Sequence, residues 1–364
     1  MEANNDASLS AVDFEKRVNE IAHSGFTALG IAAGSASGLF NTMATLGEAK
    51  TCTEIADAAG LKERYVREWL GAMVVARIVE ADLENDTFYL PPDRRKALCT
   101  AEGGGAPAVL CEGIPWLSEV YKDIMECFKK DGPRGVPHSK YTPDPPFTDT
   151  MSSIRFGGKA PKYFTDYEEI KKALETSSAV CDIGCGTGFS LCLLAREYPQ
   201  KEFHGVDLME NSIVMAKSRA ASMQLSNITF HLGDAMKSEE WEDWSLKFDL
   251  VYCRDLVHDL PRPDLFLKGV KAILKDDGYF VMVDVASHSK LADNIDTPIT
   301  SFMYTVSLFR CLPMSLAGEG ESMALGAVWG RERALEMLAE AGFDCFHTQK
   351  YYTYDEAFYC RKLK

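Results

Sequence analysis

Between Ala11 and Thr27 apolar side chains return at helical intervals (Val12, Phe14, Val18, Ile21, Ala22), and a second helical stretch covers Leu39–Leu46. In TCTEIADAAGL, Thr51 stands three residues before Glu54, the spacing of a capping box, and the run stops at Gly60. The next segment places Val66, Leu70, Met73 and Val74 on one helical face, and RIVEADLENDTFYLPP then offers two β-prone runs around a Glu84-Asn85-Asp86 turn. Helix, turn, helix and hairpin in that order predict a winged helix.

From Glu102 to Lys162 the rhythm loosens into glycines and prolines, interrupted by one helix predicted over Trp116–Lys129. The loop still carries Tyr141, Phe147, Met151 and Phe156, which is too apolar for a disordered linker, so it is expected to fold back as a lid. From Ala179 the pattern becomes strand then helix, repeated: Val180–Ile183 and Phe189–Arg196, Phe203–Val206 and Asn211–Met223, Ile228–His231, Phe248–Cys253 and Pro263–Leu274, then Tyr279–Asp284. Apolar strands alternating with amphipathic helices predict a parallel sheet covered on both faces. An insert over 287–328, a helix at Arg331–Ala341 and two strand-like runs, Cys345–Tyr352 and Ala357–Lys362, complete the chain. The expected organisation is a winged-helix domain over 1–100, a linker and lid over 101–162, and an α/β domain with a Rossmann-like sheet over 163–364.

Composition narrows the function classes. The 364 residues are 46% hydrophobic, and no stretch approaches the roughly 18 uninterrupted apolar residues of a membrane span. With no signal-peptide pattern, the expectation is a soluble, cytoplasmic protein without a membrane partner. Eleven cysteines scattered through predicted strands and helices fit free thiols in a reducing compartment. Cys181 and Cys185 lack a second Cys/His pair at zinc spacing, so no metal is expected. The formal charge of −15 gives nucleic acid no bulk attraction, and residues 48–80 balance Lys50, Lys62, Arg64, Arg67 and Arg77 against six acids. The winged helix is therefore expected to pair subunits of a homodimer rather than to read DNA.

Candidate chemistry concentrates in VCDIGCGTGFSL, where Gly184, Gly186 and Gly188 follow an apolar run. In a doubly wound sheet this first strand-to-helix turn meets the ligand, and glycines let backbone amides approach it closely. Asp207, about twenty residues on, ends the second strand where a carboxylate can hold ribose hydroxyls. A nicotinamide fingerprint spaces its last two glycines by two residues, whereas only Thr187 separates them here, and Asp182 precedes the first. A carboxylate at that point repels a diphosphate and attracts an amino-acid ammonium.

These residues resemble motif I of the class I S-adenosylmethionine-dependent methyltransferases. FHGVDL (203–208) resembles the strand whose acid holds the ribose, GDAM (233–236) the segment whose Asp lies beside the adenine, and FDLVYCRDLVHDL (248–260) the strand that lines the methionine end. The resemblance, which extends through LKDDGYFVMVD to about Val285, implies S-adenosyl-L-methionine as cofactor, held by Asp182, the three glycines, Asp207 with Leu208, Asp234 with Ala235, and Arg254. With its winged helix the whole chain is similar to plant-type small-molecule O-methyltransferases and related bacterial and animal enzymes, in which that domain makes the dimer and a His-Asp pair after the fourth strand carries the base. LVHDL places His258-Asp259 there, with Leu260 in place of the usual tryptophan.

Of seven histidines, His204 and His231 fall inside strand-like runs and His288 opens the insert, which suits packing or surface roles. His258 follows the fourth strand at the edge where cofactor and acceptor meet, and imidazole titrates near neutral pH. Glu319 or Glu321 of the insert is the acid expected to orient it. Tyr141, Met151, Tyr304, Phe309 and Arg310 are weaker candidates for the acceptor pocket, Arg310 with an anionic acceptor in mind. The expected activity is methylation of oxygen or sulfur on a small molecule. The alternative is a winged-helix regulator that senses S-adenosylmethionine without catalysis.

Overall fold

The structure is a computed structural model and describes residues 10–101, 103–141, 145–237, 243–295, 297–318, 320–352 and 354–363. The chain divides into two compact units, Met1–Trp116 and Leu117–Lys364.

The first unit opens with α1 (Ala11–Ala36), capped by Ser10, whose hydroxyl accepts the Asp13 N–H. The helix runs nine residues past the predicted end, into a Gly- and Ala-rich stretch that the apolar pattern does not mark. There small residues permit close packing: a Cβ on Gly34 would lie 2.4 Å from the Trp69 ring. Next come α2 (Leu39–Leu46), β1 (Lys50–Thr51), α3 (Cys52–Ala59) and α4 (Glu63–Val75). Thr51 and Glu54 complete the predicted capping box, each side chain binding the other's backbone N–H. Strands β2 (Glu80–Asp82) and β3 (Thr87–Tyr89) form the wing, and β1 pairs with β3 to give a three-stranded antiparallel sheet in the order β1-β3-β2. Phe40, Ile55, Val66, Leu70 and Met73 fill the core, and α5 (Pro92–Leu98) follows.

The single helix predicted over Trp116–Lys129 is two helices, α6 (Ala106–Ser118) and α7 (Tyr121–Cys127). Pro107 occupies the second position of α6, where a missing N–H costs nothing, so the GGGAP sequence starts a helix instead of breaking one. The same logic applies to α8 (Pro145–Phe156), which begins at two prolines in the predicted loop. Short helices α9 (Lys162–Thr165) and α10 (Glu168–Thr176) lead into the sheet.

The sheet has seven strands: β4 (Ala179–Ile183), β5 (Glu202–Asp207), β6 (Ile228–Leu232), β7 (Phe248–Arg254), β8 (Leu274–Val285), β9 (Phe343–Tyr351) and β10 (Asp355–Lys362). Their order is β6-β5-β4-β7-β8-β10-β9; the first five are parallel, and β10 runs antiparallel to both its neighbours. Helices α11 (Phe189–Glu197), α12 (Glu210–Ser222), α13 (Pro263–Ile273) and α16 (Arg331–Glu340) connect the strands, with α14 (Pro298–Val306) and α15 (Leu312–Leu316) in the insert. Two apolar clusters cover the sheet, one built on Val251, Phe266, Phe280 and Phe343, the other on Val180, Leu191, Phe203 and Tyr359. Burying each such side chain stabilises the fold by about 1.5–3 kcal/mol. The chain leaves β4 toward β5 and β6, then returns to β7 on the other side. This topological switch opens a crevice at the carboxyl ends of β4 and β7.

Candidate active site

Three strands of this edge end in an acid. Asp182 lies in β4, Asp207 closes β5 and Asp284 stands one residue before the end of β8. Between β4 and α11 the glycine turn takes left-handed backbone angles, with φ of 75° at Gly184, 55° at Gly186 and 70° at Gly188. A Cβ on Gly186 would meet nothing within 4 Å, so this stretch of backbone is bared to the crevice, whereas a Cβ on Gly188 would lie 2.6 Å from the Phe230 ring. One glycine exposes the loop and the other lets α11 close on its neighbours.

The Asp207 carboxylate accepts the N–H of Gly186 at 2.8 Å and of Met209 at 2.9 Å. Burial raises its pKa against those two donors, and each oxygen keeps a further lone pair for a ligand hydroxyl. Asp182 is almost fully buried; burial pushes it up to about 8, with Arg254 pulling it down and Asp207 adding to the rise. Such a carboxyl is primed to ionise when a cation arrives. Asp234 is half-buried and caps its own turn through the Met236 N–H, with Ala235 partly buried beside it, while Leu208 is exposed. The carboxylate acceptors suit an aminoacyl ammonium at one end and a ribose at the other, so the residues fit S-adenosylmethionine.

His258 lies in a short turn, Val257–Asp259, after β7. The preceding Asp255 has φ of 51°, a left-handed angle rare outside glycine, which turns the chain sharply at the strand end. His258 Nδ1 is 2.6 Å from Asp284 Oδ1, and because a carboxylate only accepts, the proton sits on Nδ1. Nε2 lies 3.3 Å from Asp259 Oδ1. Burial pulls the imidazole's pKa down, but the carboxylates of Asp284 and Asp259 outweigh it and hold the group well above the ordinary histidine value. The orienting acid is thus Asp284, from the sheet itself. Glu321 lies beside Arg262 in another cleft, and Glu319 falls outside the described residues. Asp284 carried a readable signal, since its apolar run ends in an acid as those of Asp182 and Asp207 do.

The insert reaches the same place through a π-helical turn, Ser307–Cys311, which brings Arg310 and Cys311 to His258. Arg310 Nη1 is 3.3 Å from Asp259 Oδ2. Tyr141 is buried and donates its hydroxyl to the Phe309 carbonyl, and the Phe309 ring stacks on Tyr121. Tyr304 is 39% exposed and Met151 half-buried. The residues of this segment that the sequence does not single out are Asp149 and Arg155 of α8. Asp149 accepts hydrogen bonds from Thr187 of the glycine turn and from Arg219, while Arg155 pairs with Asp355 at 3.1 Å and Tyr354. Helix α8 is therefore clamped to the sheet edge at two points.

Residues 174–342 match the description of a methyltransferase domain, and residues 25–100 that of an Rv2258c-like winged helix-turn-helix domain. The chain carries a methyltransferase domain behind a winged helix. The chain is 24% identical over 144 residues to (S)-coclaurine N-methyltransferase of Papaver somniferum, a match that covers 40% of this chain and 40% of that protein. The first two curated relatives are matched over 40% and 49% of their own length. The fold extends further: an O-methyltransferase family protein from Burkholderia thailandensis superimposes with a TM-score of 0.69 at 14% identity, over 98% of this chain and 99% of that one. Human N-acetylserotonin methyltransferase, solved in complex with SAM, gives a TM-score of 0.68 at 14% identity over 98% and 99%.

Proposed function

We propose that this protein is an S-adenosylmethionine-dependent methyltransferase that acts on a nucleophilic oxygen of a small molecule, with His258 as general base. The observation that carries the reading is the His258–Asp284 pair beside the glycine turn, at the carboxyl ends of adjacent strands. When bound, S-adenosylmethionine supplies an electrophilic methyl group on a sulfonium. Asp182 would hold the ammonium, Asp207 the ribose and Asp234 with Ala235 the adenine side, with Gly184, Gly186, Gly188, Leu208 and Arg254 lining the rest. A hydroxyl acceptor is a poor nucleophile at neutral pH until it loses its proton. Asp284 fixes the imidazole through Nδ1 and stabilises the imidazolium that forms. His258 must first release the proton that Asp284 and Asp259 favour before Nε2 can take the acceptor's. Tyr141, Phe309 and Arg310 would wall the acceptor side, with Met151 and Tyr304 farther out. A thiol acceptor needs less help from a base, so the two acceptor classes differ in their dependence on His258.

The test is release of S-adenosylhomocysteine by the purified protein against phenols, carboxylates, amines and small thiols, with His258→Ala in parallel. For a hydroxyl acceptor the variant should lose about a hundredfold or more in turnover, the scale of a positioned base. Full activity of the variant with the best acceptor would reject the base.

The winged helix is proposed to join two copies of the chain. On α1, Phe14, Val18, Ile21 and Phe26 stand 49–75% exposed, an apolar stripe that suits a second copy. The regulator alternative is disfavoured by α4, whose Arg64 and Arg67 are paired with Glu68 and Glu63 on the same helix, leaving no basic stripe for DNA. All eleven cysteines are free thiols, and among the described residues no helix is long and apolar enough to cross a membrane; both fit the cytoplasmic location we propose.

A further inference from the structure

His258, Asp259 and Cys311 bring an imidazole nitrogen, a carboxylate oxygen and a thiol sulfur within 4.8 Å of one another. All three come from the catalytic edge, two from the turn after β7 and one from the π-helical turn of the insert. Two details bear on this cluster. Asp259 Oδ1 is buried and accepts no hydrogen bond, although His258 Nε2 is only 3.3 Å away, while His258 and Cys311 are hydrogen-bonded to each other. The separation of Nε2 and Oδ1 agrees with the roughly 3.4 Å expected between nitrogen and oxygen on one tetrahedral zinc, from bond lengths of about 2.0–2.2 Å. The second detail is Asp284. By accepting the Nδ1 proton at 2.6 Å it leaves Nε2, once that atom has given up its own proton, as the ligand atom, the carboxylate–histidine arrangement that supports metal-bound imidazole.

We propose that His258 Nε2, Asp259 Oδ1 and Cys311 Sγ form a three-ligand site for a thiophilic divalent cation, Zn2+ in the first place. Thiolate, imidazole and carboxylate together select zinc over magnesium or calcium, which prefer all-oxygen shells. Zn2+ together with Arg310 would offset the negative charges of the thiolate, Asp259 and Asp284, with Asp255 also facing Arg310. On binding, the thiol proton and any proton on Nε2 leave to solvent, and bonds form from sulfur, nitrogen and oxygen to the metal, with no redox change. The fourth position stays open. Because the ion takes the lone pair that base catalysis needs, zinc would switch off proton transfer at His258; this consequence rests on the methyltransferase reading, whereas the binding does not.

Cobalt(II) reports the site without cofactor or acceptor, so failure here is separable from failure of the proposed activity. The reduced full chain, freed of metal by a chelator that is then removed, is titrated with Co2+ and followed by near-ultraviolet absorption. One Co2+ per chain should bind, with an intense thiolate-to-cobalt band that one equivalent of Zn2+ displaces. Cys311→Ser should abolish the band, and Cys345→Ser should leave it in place. Asp284→Asn should weaken binding about ten- to a hundredfold, the usual effect of losing a partner behind a ligand. Thermal unfolding of each variant verifies that it is folded. Absence of a thiolate band in the wild type, or its persistence in folded Cys311→Ser, overturns the site.

Discussion

Raising the pH from 6 to 8 should tighten S-adenosylmethionine binding by roughly twentyfold, the net of about fiftyfold gained through Asp182 and a factor lost at the ligand's own amino group. In the ligand-free protein burial pushes this carboxyl up to about 8, so it is neutral across most of the physiological range and must ionise to pair with the ligand's ammonium. With that value the ionised fraction rises from about 1% at pH 6 to about 50% at pH 8, and affinity follows the fraction. The ligand's own amino group, ordinarily near 7.7–8.0, loses its proton in the same range and takes back a factor of about two to three at the top. The sign is opposite for stability. Because the folded pKa lies above the unfolded one, Asp182 favours the ligand-free fold in acid, and that contribution is lost as pH rises through about 8. Calorimetry at pH 6.5 in two buffers of different ionisation enthalpy counts the protons directly: about one should be expelled per cofactor bound. Asp182→Asn should expel none and bind more weakly with a flat pH profile below 7. Equal proton release in the wild type and the variant would refute the pairing of Asp182 with the ammonium.

Gly188→Ala should destabilise the protein by about 1–3 kcal/mol in urea unfolding, since its Cβ meets Phe230 at 2.6 Å and its φ of 70° strains any other residue; unchanged stability would contradict the packing described. Replacing both Val18 and Ile21 with Glu should turn a dimer into a monomer in light scattering, and a dimeric double variant would remove α1 from the interface. His258→Ala should cost about a hundredfold in turnover on a hydroxyl while leaving cofactor affinity within about twofold, as expected of a group that acts on the acceptor alone.

The strand-ending acids and the glycine turn were legible in the sequence because each is local: an apolar run, an acid, then glycines. The capping box at Thr51 and most strand and helix boundaries of the sheet are readable for the same reason, but β8 begins at Leu274, five residues before the expected Tyr279. What escaped was of two kinds. Prolines read as loop markers, yet at the first turn of α6 and α8 they are compatible with a helix, so α8 and the Asp149 contacts it carries are not legible in the sequence. Contacts far apart in sequence were also invisible. His258 and Asp284 lie 26 residues apart, with helix α13 between them, and meet only because β7 and β8 are parallel neighbours, and Cys311 reaches them through a π-helical turn that no local pattern announces.

Calorimetric titration of the full chain with S-adenosylmethionine, beside Asp207→Ala, tests the central claim most directly. Asp207 is tied to the glycine turn by the Gly186 N–H and keeps lone pairs for the ribose, and charged hydrogen bonds of this kind contribute about 1.5–3 kcal/mol. One cofactor per chain should bind the wild type, and folded Asp207→Ala should bind it about ten- to a hundredfold more weakly. A wild type that does not bind S-adenosylmethionine, or a folded variant that binds it as tightly, would contradict the account.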